Sequence, residues 1–100
     1  MPTIYKPKKK KNESQYNSER RAIYNSERWK RIRRIKYANS PLCERCYQEG
    51  RIVPAEDIHH IVSFMSADNH SERMRLAYDY DNLMSLCKKC HQYIHNVRHL

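Results

Sequence analysis

Phenylalanine and tryptophan are scarce in this 100-residue chain, which has one of each. With 39% hydrophobic residues against 31% charged ones, it has little from which to build a large core. The length suits one small domain and excludes a two-domain enzyme. No apolar run approaches the roughly 20 residues of a bilayer span, so an integral membrane protein is not expected. The N-terminal MPTIYKPKKKKNE is charged and has no apolar segment of the kind a secretory signal needs. Acidic residues are also few, 11 against 20 Lys and Arg, and the imbalance is local. Residues 1–41 carry 13 Lys and Arg against three Glu, whereas 42–100 carry seven against eight Asp and Glu. A basic third joined to a near-neutral remainder suggests a grip on a polyanion, nucleic acid first. For Lys6 to Lys11, a solvated tail without fixed structure is an equal alternative.

What the chain does have is four cysteines and six histidines. Cys43, Cys46, Cys87 and Cys90 form two C-x-x-C pairs with 40 residues between them. In a reducing cytosol such pairs serve as metal ligands more often than as disulfides. Four thiolates close a tetrahedron around Zn²⁺ with no position left for substrate, so the expected site is structural, a staple for a chain with little core. A redox dithiol or unrelated buried cysteines are the other readings.

The chain is expected to divide into a basic, disordered arm over 1–24 and a domain over 25–100. Tyr16-Asn17-Ser18-Glu19-Arg20 is echoed by Tyr24-Asn25-Ser26-Glu27-Arg28, and both copies read as helix starts, with Asn25 or Ser26 as a cap. Trp29, Ile32 and Ile35 then recur every three positions among cationic residues, which predicts an amphipathic basic helix from Glu27 to about Ala38, ending before Pro41. Trp29 reads as the anchor of this helix on the metal module, with base stacking as the alternative. Gly50 marks a turn, Ile52 to Pro54 a short extended piece, Asp57 to Val62 a strand and the turn after it, and Leu83 to Leu86 a return strand. Residues 63–80 are poorly determined, with a short helix over Ser71 to Tyr78 capped by Ser71 as one option. A last helix over Lys88 to about Arg98 puts His91 and His95 on one face.

The order of motifs, Asp57-x-His59-His60, then Asp81-Asn82-Leu83, then Cys87-x-x-Cys90-His91-x-x-x-His95, resembles the HNH endonucleases in their zinc-stapled form. The resemblance spans roughly residues 24 to 98. Tyr24, Trp29 and Arg33 are similar to positions in small phage-encoded HNH proteins that accompany packaging enzymes. The histidine pattern looks like that of the colicin nuclease domains. The fold class implied is small α+β, a ββα-metal (His-Me finger) module stapled by the four-cysteine zinc site and preceded by the basic amphipathic helix. The resemblance makes His60 the general base in metal-dependent hydrolysis of DNA phosphodiester bonds. It makes His59, His91 and His95 ligands of one catalytic divalent cation, and gives Asn82 a supporting role across the hairpin. Many relatives carry Asp where this chain has His59. An imidazole there favours Zn²⁺, Ni²⁺, Co²⁺ or Mn²⁺ and makes Mg²⁺ less secure.

DNA contacts are expected mainly at phosphates, through Arg28, Arg31, Arg33, Arg34, Lys36, Lys88 and Lys89. A role in phage DNA processing or packaging, with a terminase-like protein as partner and the bacterial host cytoplasm as location, follows from the same resemblance. The alternative is a zinc-stapled module that holds DNA or a partner without cutting.

Overall fold

The computed structural model describes residues 5–98, with side chains described from 15 to 97. Two helices in succession form the N-terminal part, α1 (Tyr5–Asn25) and α2 (Glu27–Asn39). A helix thus occupies most of the segment expected to lack structure, and only the second copy of the echo is a helix start. Ser26 stops α1 because its hydroxyl is engaged three ways. It donates to the carbonyl of Ile23 at 2.7 Å, accepts the N–H of Trp29 at 3.1 Å as the cap of α2, and meets the Tyr78 hydroxyl at 2.9 Å. The Tyr78 contact comes from a distant part of the chain, so Ser18 in the first copy cannot be told from Ser26 by local sequence.

The inner face of α2 differs from the expected one. Ile35 is 48% exposed, whereas Lys36 is 7% exposed. At about 100° per residue, Lys36 lies roughly 20° from Trp29 around the helix and Ile35 roughly 120° away. A strict three-residue repeat therefore drifts off the buried stripe. Lys36 tolerates this position because its ammonium lies 3.2 Å from the Glu44 carboxylate and 5.2 Å over the Tyr80 ring. The same carboxylate accepts the N–H of Ser85 at 2.7 Å.

After α2 the chain enters α3 (Glu44–Gln48), capped by Cys43, whose sulfur accepts the N–H of Cys46 at 3.4 Å. The turn that ends α3 needs a left-handed residue, and Gly50 supplies it at φ 80°. The N–H of Arg51 closes back on the Cys46 carbonyl at 2.9 Å. Leu42 then bridges Pro54. Strands β1 (Asp57–His60) and β2 (Leu83–Leu86) pair antiparallel, with Asp57 opposite Leu86 and His60 opposite Leu83. Between them lie a 3₁₀ turn at Phe64–Ser66, helix α4 (His70–Ala77) and a second 3₁₀ turn at Tyr80–Asn82. The cap of α4 is Asn69, not Ser71. Its side-chain oxygen accepts the N–H of Glu72 at 2.9 Å, in the spacing of a capping box. Helix α5 (Lys88–Arg98) follows β2, and the Lys88 N–H is held by the Glu56 carboxylate at 3.0 Å.

The buried side chains form two small clusters. Leu86 packs with the four cysteines, and Ile23 packs with Phe64 and Ala77. Among the described residues, no helix is long and apolar enough to cross a membrane.

Candidate active site

The structure holds two candidate sites, one of sulfur and one of imidazole. At the first, all four cysteines are buried, with their sulfurs within 4.8 Å of one another. Cys46 Sγ lies 3.9 Å from Cys87 Sγ and 3.6 Å from Cys90 Sγ. Four sulfurs bound to one ion by bonds of about 2.3 Å would sit about 3.8 Å apart, so the spacing fits a tetrahedron around one metal. Charge leads to the same conclusion. Burial pushes the Cys46 thiol up to about 12. Burial would raise Cys43 too, but hydrogen bonds from the Cys46 and Cys87 backbone override it and bring Cys43 down to about 7. Four buried thiols in contact cannot all ionise unaided, and a dication among them removes that conflict.

The second site is a cavity of about 1180 Å³ between α1, α2, β1 and α5, with His59, His60, His91 and His95 among its lining residues. Along β1, side chains alternate between faces, so His59 and His60 part company. His59 meets His91 of α5 edge to face, with ring centres 5.0 Å apart. Two imidazoles on one ion, through metal–nitrogen bonds of about 2.1 Å, place their centres about 5 Å apart, so this pair fits a shared cation. His95 lines the same cavity one turn along α5. Among the described residues, the cysteines are the only set of three or more possible metal donors within 4.8 Å of one another; the three imidazoles are more widely spaced.

His60 is 6% exposed. Its ring stacks on Trp29 at 4.7 Å and meets Phe64 and Tyr24 edge-on at 4.9 and 6.1 Å. Nε2 lies 3.0 Å from the carbonyl of Ala77. A carbonyl can only accept, so Nε2 carries the hydrogen and Nδ1 the lone pair. Burial holds the ring's pKa below 6.5, against the smaller opposing effect of the Ala77 bond. Asn82 extends the hairpin beyond β1 by acting as a piece of backbone. Its side-chain carbonyl accepts the Val62 N–H at 2.9 Å, and its amide donates to the carbonyls of Val62 and Leu76, both at 3.0 Å. One buried side chain thus fixes the segment after His60 and the end of α4, from which Ala77 reaches His60.

The model of the HNH endonuclease family matches residues 43–97 of this chain. The chain belongs to the HNH endonuclease family. Comparison with solved structures finds an HNH endonuclease of the deep-sea thermophilic bacteriophage GVE2, crystallised with manganese ion. It is 32% identical, with a TM-score of 0.74, over 90% of this chain and 92% of that one. No curated protein matches. As an HNH endonuclease, the protein is a DNA-hydrolysing enzyme.

The HNH module brings together residues from sequence positions far apart and adds one that sequence reasoning did not select. Asp57 Oδ2 lies 3.1 Å from His91 Nδ1, and Lys88 Nζ lies 3.8 Å from Oδ1. A carboxylate accepts, so Nδ1 of His91 donates and Nε2 keeps its lone pair for a cation. The available signal was Asp57 two positions before His59, on the same face of a strand. Of the expected DNA contacts, Arg33 and Arg34 line the cavity, and Arg31, Lys88 and Lys89 are exposed. Arg28 is also exposed, with its guanidinium 4.3 Å over Tyr78. Lys36 is a correction, since its buried ion pair with Glu44 keeps it from reaching phosphate.

Proposed function

We propose that the enzyme cuts DNA with His60 as general base and one divalent cation held by His59 and His91, with His95 completing the set. Water attacks the scissile phosphorus, its proton passes to His60 Nδ1, and the P–O3′ bond breaks. The observation that carries this reading is the fixed tautomer of His60, set by the Ala77 carbonyl, in a cavity where His59 and His91 also meet. A bound cation would supply charge neutralisation for the phosphate and the departing 3′ oxygen. Asn82 positions the base by fixing the segment after β1. Asp57 keeps the Nε2 lone pair of His91 available to the cation. The manganese in the GVE2 relative supports Mn²⁺ among the candidates Mn²⁺, Ni²⁺, Zn²⁺ and Mg²⁺, and the four cysteines suit structural Zn²⁺. Arg28, Arg31, Arg33, Arg34, Lys88 and Lys89 would hold the phosphate backbone, joined by the basic arm over 1–24. The phage origin of that relative supports a place in phage DNA processing; a terminase-like packaging partner and the host cytoplasm as location rest on the sequence resemblance alone.

Supercoiled plasmid incubated with each of the four cations tests the reading. Relaxed or linear product is expected with at least one of them. His60→Ala should lower cutting at least a hundredfold, by the usual value of a positioned base, while zinc content and DNA binding stay near wild type. Equal cutting by that variant would remove His60 from the mechanism.

A further inference from the structure

On α1, Tyr16, Arg20 and Tyr24 stand at i, i+4 and i+8, and on α2, Trp29, Arg33 and Tyr37 repeat the spacing. All six line the cavity that holds the histidines. Side chains four apart on a helix lie one above another, so two stripes of aromatic, arginine and aromatic face the site. The inner rings already have work. Tyr24 and Trp29 meet edge-on at 5.7 Å, and both pack on His60. The outer rings are open to solvent, Tyr16 at 48% and Tyr37 at 44% exposure.

A tyrosine hydroxyl can donate to a phosphate oxygen, but that contact uses the hydroxyl and leaves the exposed face of the ring without a role. Guanidiniums interleaved with exposed rings are the chemistry of a stacking platform, on which the cations follow the backbone and the rings take bases face-on. Bases inside an intact duplex have both faces covered by their neighbours, so only unpaired nucleotides can use such a wall. The cavity volume, about 1180 Å³, also exceeds the roughly 300–1,000 Å³ of a usual small-molecule site, which leaves room for nucleotides as well as the scissile phosphate.

We propose that the wall built by α1 and α2 binds unpaired nucleotides beside the scissile phosphate, so that the substrate class is DNA with a single-stranded stretch, such as a gap, flap or fork. This rests on the nuclease reading above, because it takes the cavity as the place of cutting.

The test compares a fluorescein-labelled duplex, the same duplex with a four-nucleotide gap, and the single strand, each bound to the zinc-loaded full chain without added catalytic cation. Gapped DNA should bind about tenfold or more tighter than the duplex. Tyr16→Leu and Tyr37→Leu should each remove about fivefold or more of that advantage, by the usual value of one stacked base, with duplex binding unchanged. Tyr37→Phe keeps the ring and should restore the preference. 2-Aminopurine in the gap should be quenched by wild type and less so by the Leu variants. Equal binding of gapped and intact DNA, or equal losses on both, would overturn the proposal. Cutting of intact and gapped DNA at equal rates would also sink it while leaving the nuclease reading in place. Gap-selective binding by a protein that cuts no DNA would overturn the nuclease reading and, with it, the placement of the wall beside a scissile phosphate, leaving only the binding of unpaired nucleotides.

Discussion

At the scale of single residues, His60 meets two requirements that usually conflict. It must be neutral to accept a proton, and it must be held in one orientation. Burial against Trp29 and Phe64 supplies the first by making the charged ring costly, and the Ala77 carbonyl supplies the second. The folded pKa therefore lies below 6.5, and the ring stays neutral at pH values where an exposed histidine is protonated. The acid limb of the kcat/KM profile should fall below pH 6.5, measured with cation saturating at each pH. An inflection above 6.5 would show that another group limits the rate. The same shift affects stability. The unfolded chain takes up this proton near 6.5 and the folded chain only at lower pH, so the contribution is complete above 6.5 and is lost as pH falls through the folded value. Asp57 is the other residue with a sharp consequence. If it holds the tautomer of His91, Asp57→Ala should weaken Mn²⁺ binding by about 10- to 100-fold in calorimetry with little change in melting temperature. Unchanged affinity would make the 3.1 Å contact irrelevant to the cation.

Between elements, the docking of α2 on the cysteine module depends on one carboxylate. Glu44 neutralises Lys36 and also accepts the Ser85 N–H, so α2, α3 and β2 meet at a single side chain. Removing one partner of a buried pair costs about 3–5 kcal/mol. The Glu44 side chain is 35% exposed, so solvent screening reduces this, and Glu44→Ala should lose about 2 kcal/mol in urea unfolding. Lys36→Met should lose less, because it leaves no stranded ammonium. A Glu44→Ala protein as stable as wild type would mean that the contact does not hold the elements together. This junction also shows where sequence reading stops. The strands, α5 and the start of α2 were legible because their signals are local: β-branched residues without a helical period in Asp57 to Val62, the Ser26 cap, and cysteines at fixed spacing. Lys36 was misplaced because a cationic residue inside a helix face is justified only by Glu44 and Tyr80, which arrive from elsewhere in the chain. The span from 63 to 80 was opaque for the same reason. It is organised by the Asn82 amide and packing around Phe64, and no periodic pattern within it encodes either. The cysteine cluster could be read from spacing. The histidine site could not, since Asp57 gains meaning only when α5 is folded against β1.

For the whole molecule, the question is what holds a chain with two small buried clusters together. The cluster on the hairpin's sulfur side is itself mostly cysteine, with Leu86 as its one fully buried large apolar residue. Clusters of that size leave a small domain with little stability in reserve. A tetrahedral zinc site contributes an apparent ~10–16 kcal/mol near neutral pH, on the scale of a domain's entire net stability of about 5–15 kcal/mol. An ion held by the four cysteines would also join α3 to the start of α5 across the intervening hairpin, and its loss would free β1 and β2 from one end and with them the cavity lined by His59 and His91. Cys46 is the most telling position, since its sulfur touches those of both Cys87 and Cys90. Cys46→Ser should purify without its tightly bound zinc, quantified by elemental analysis, and should show no cooperative melting transition. Wild-type protein treated with a strong chelator should behave the same way and recover its transition when Zn²⁺ is returned. Mn²⁺ in place of Zn²⁺ should not restore it, because thiolates are poor ligands for the harder ion. A metal-free Cys46→Ser protein that melts at the wild-type temperature would show that packing alone holds the fold, and the four thiols would then lose their structural role.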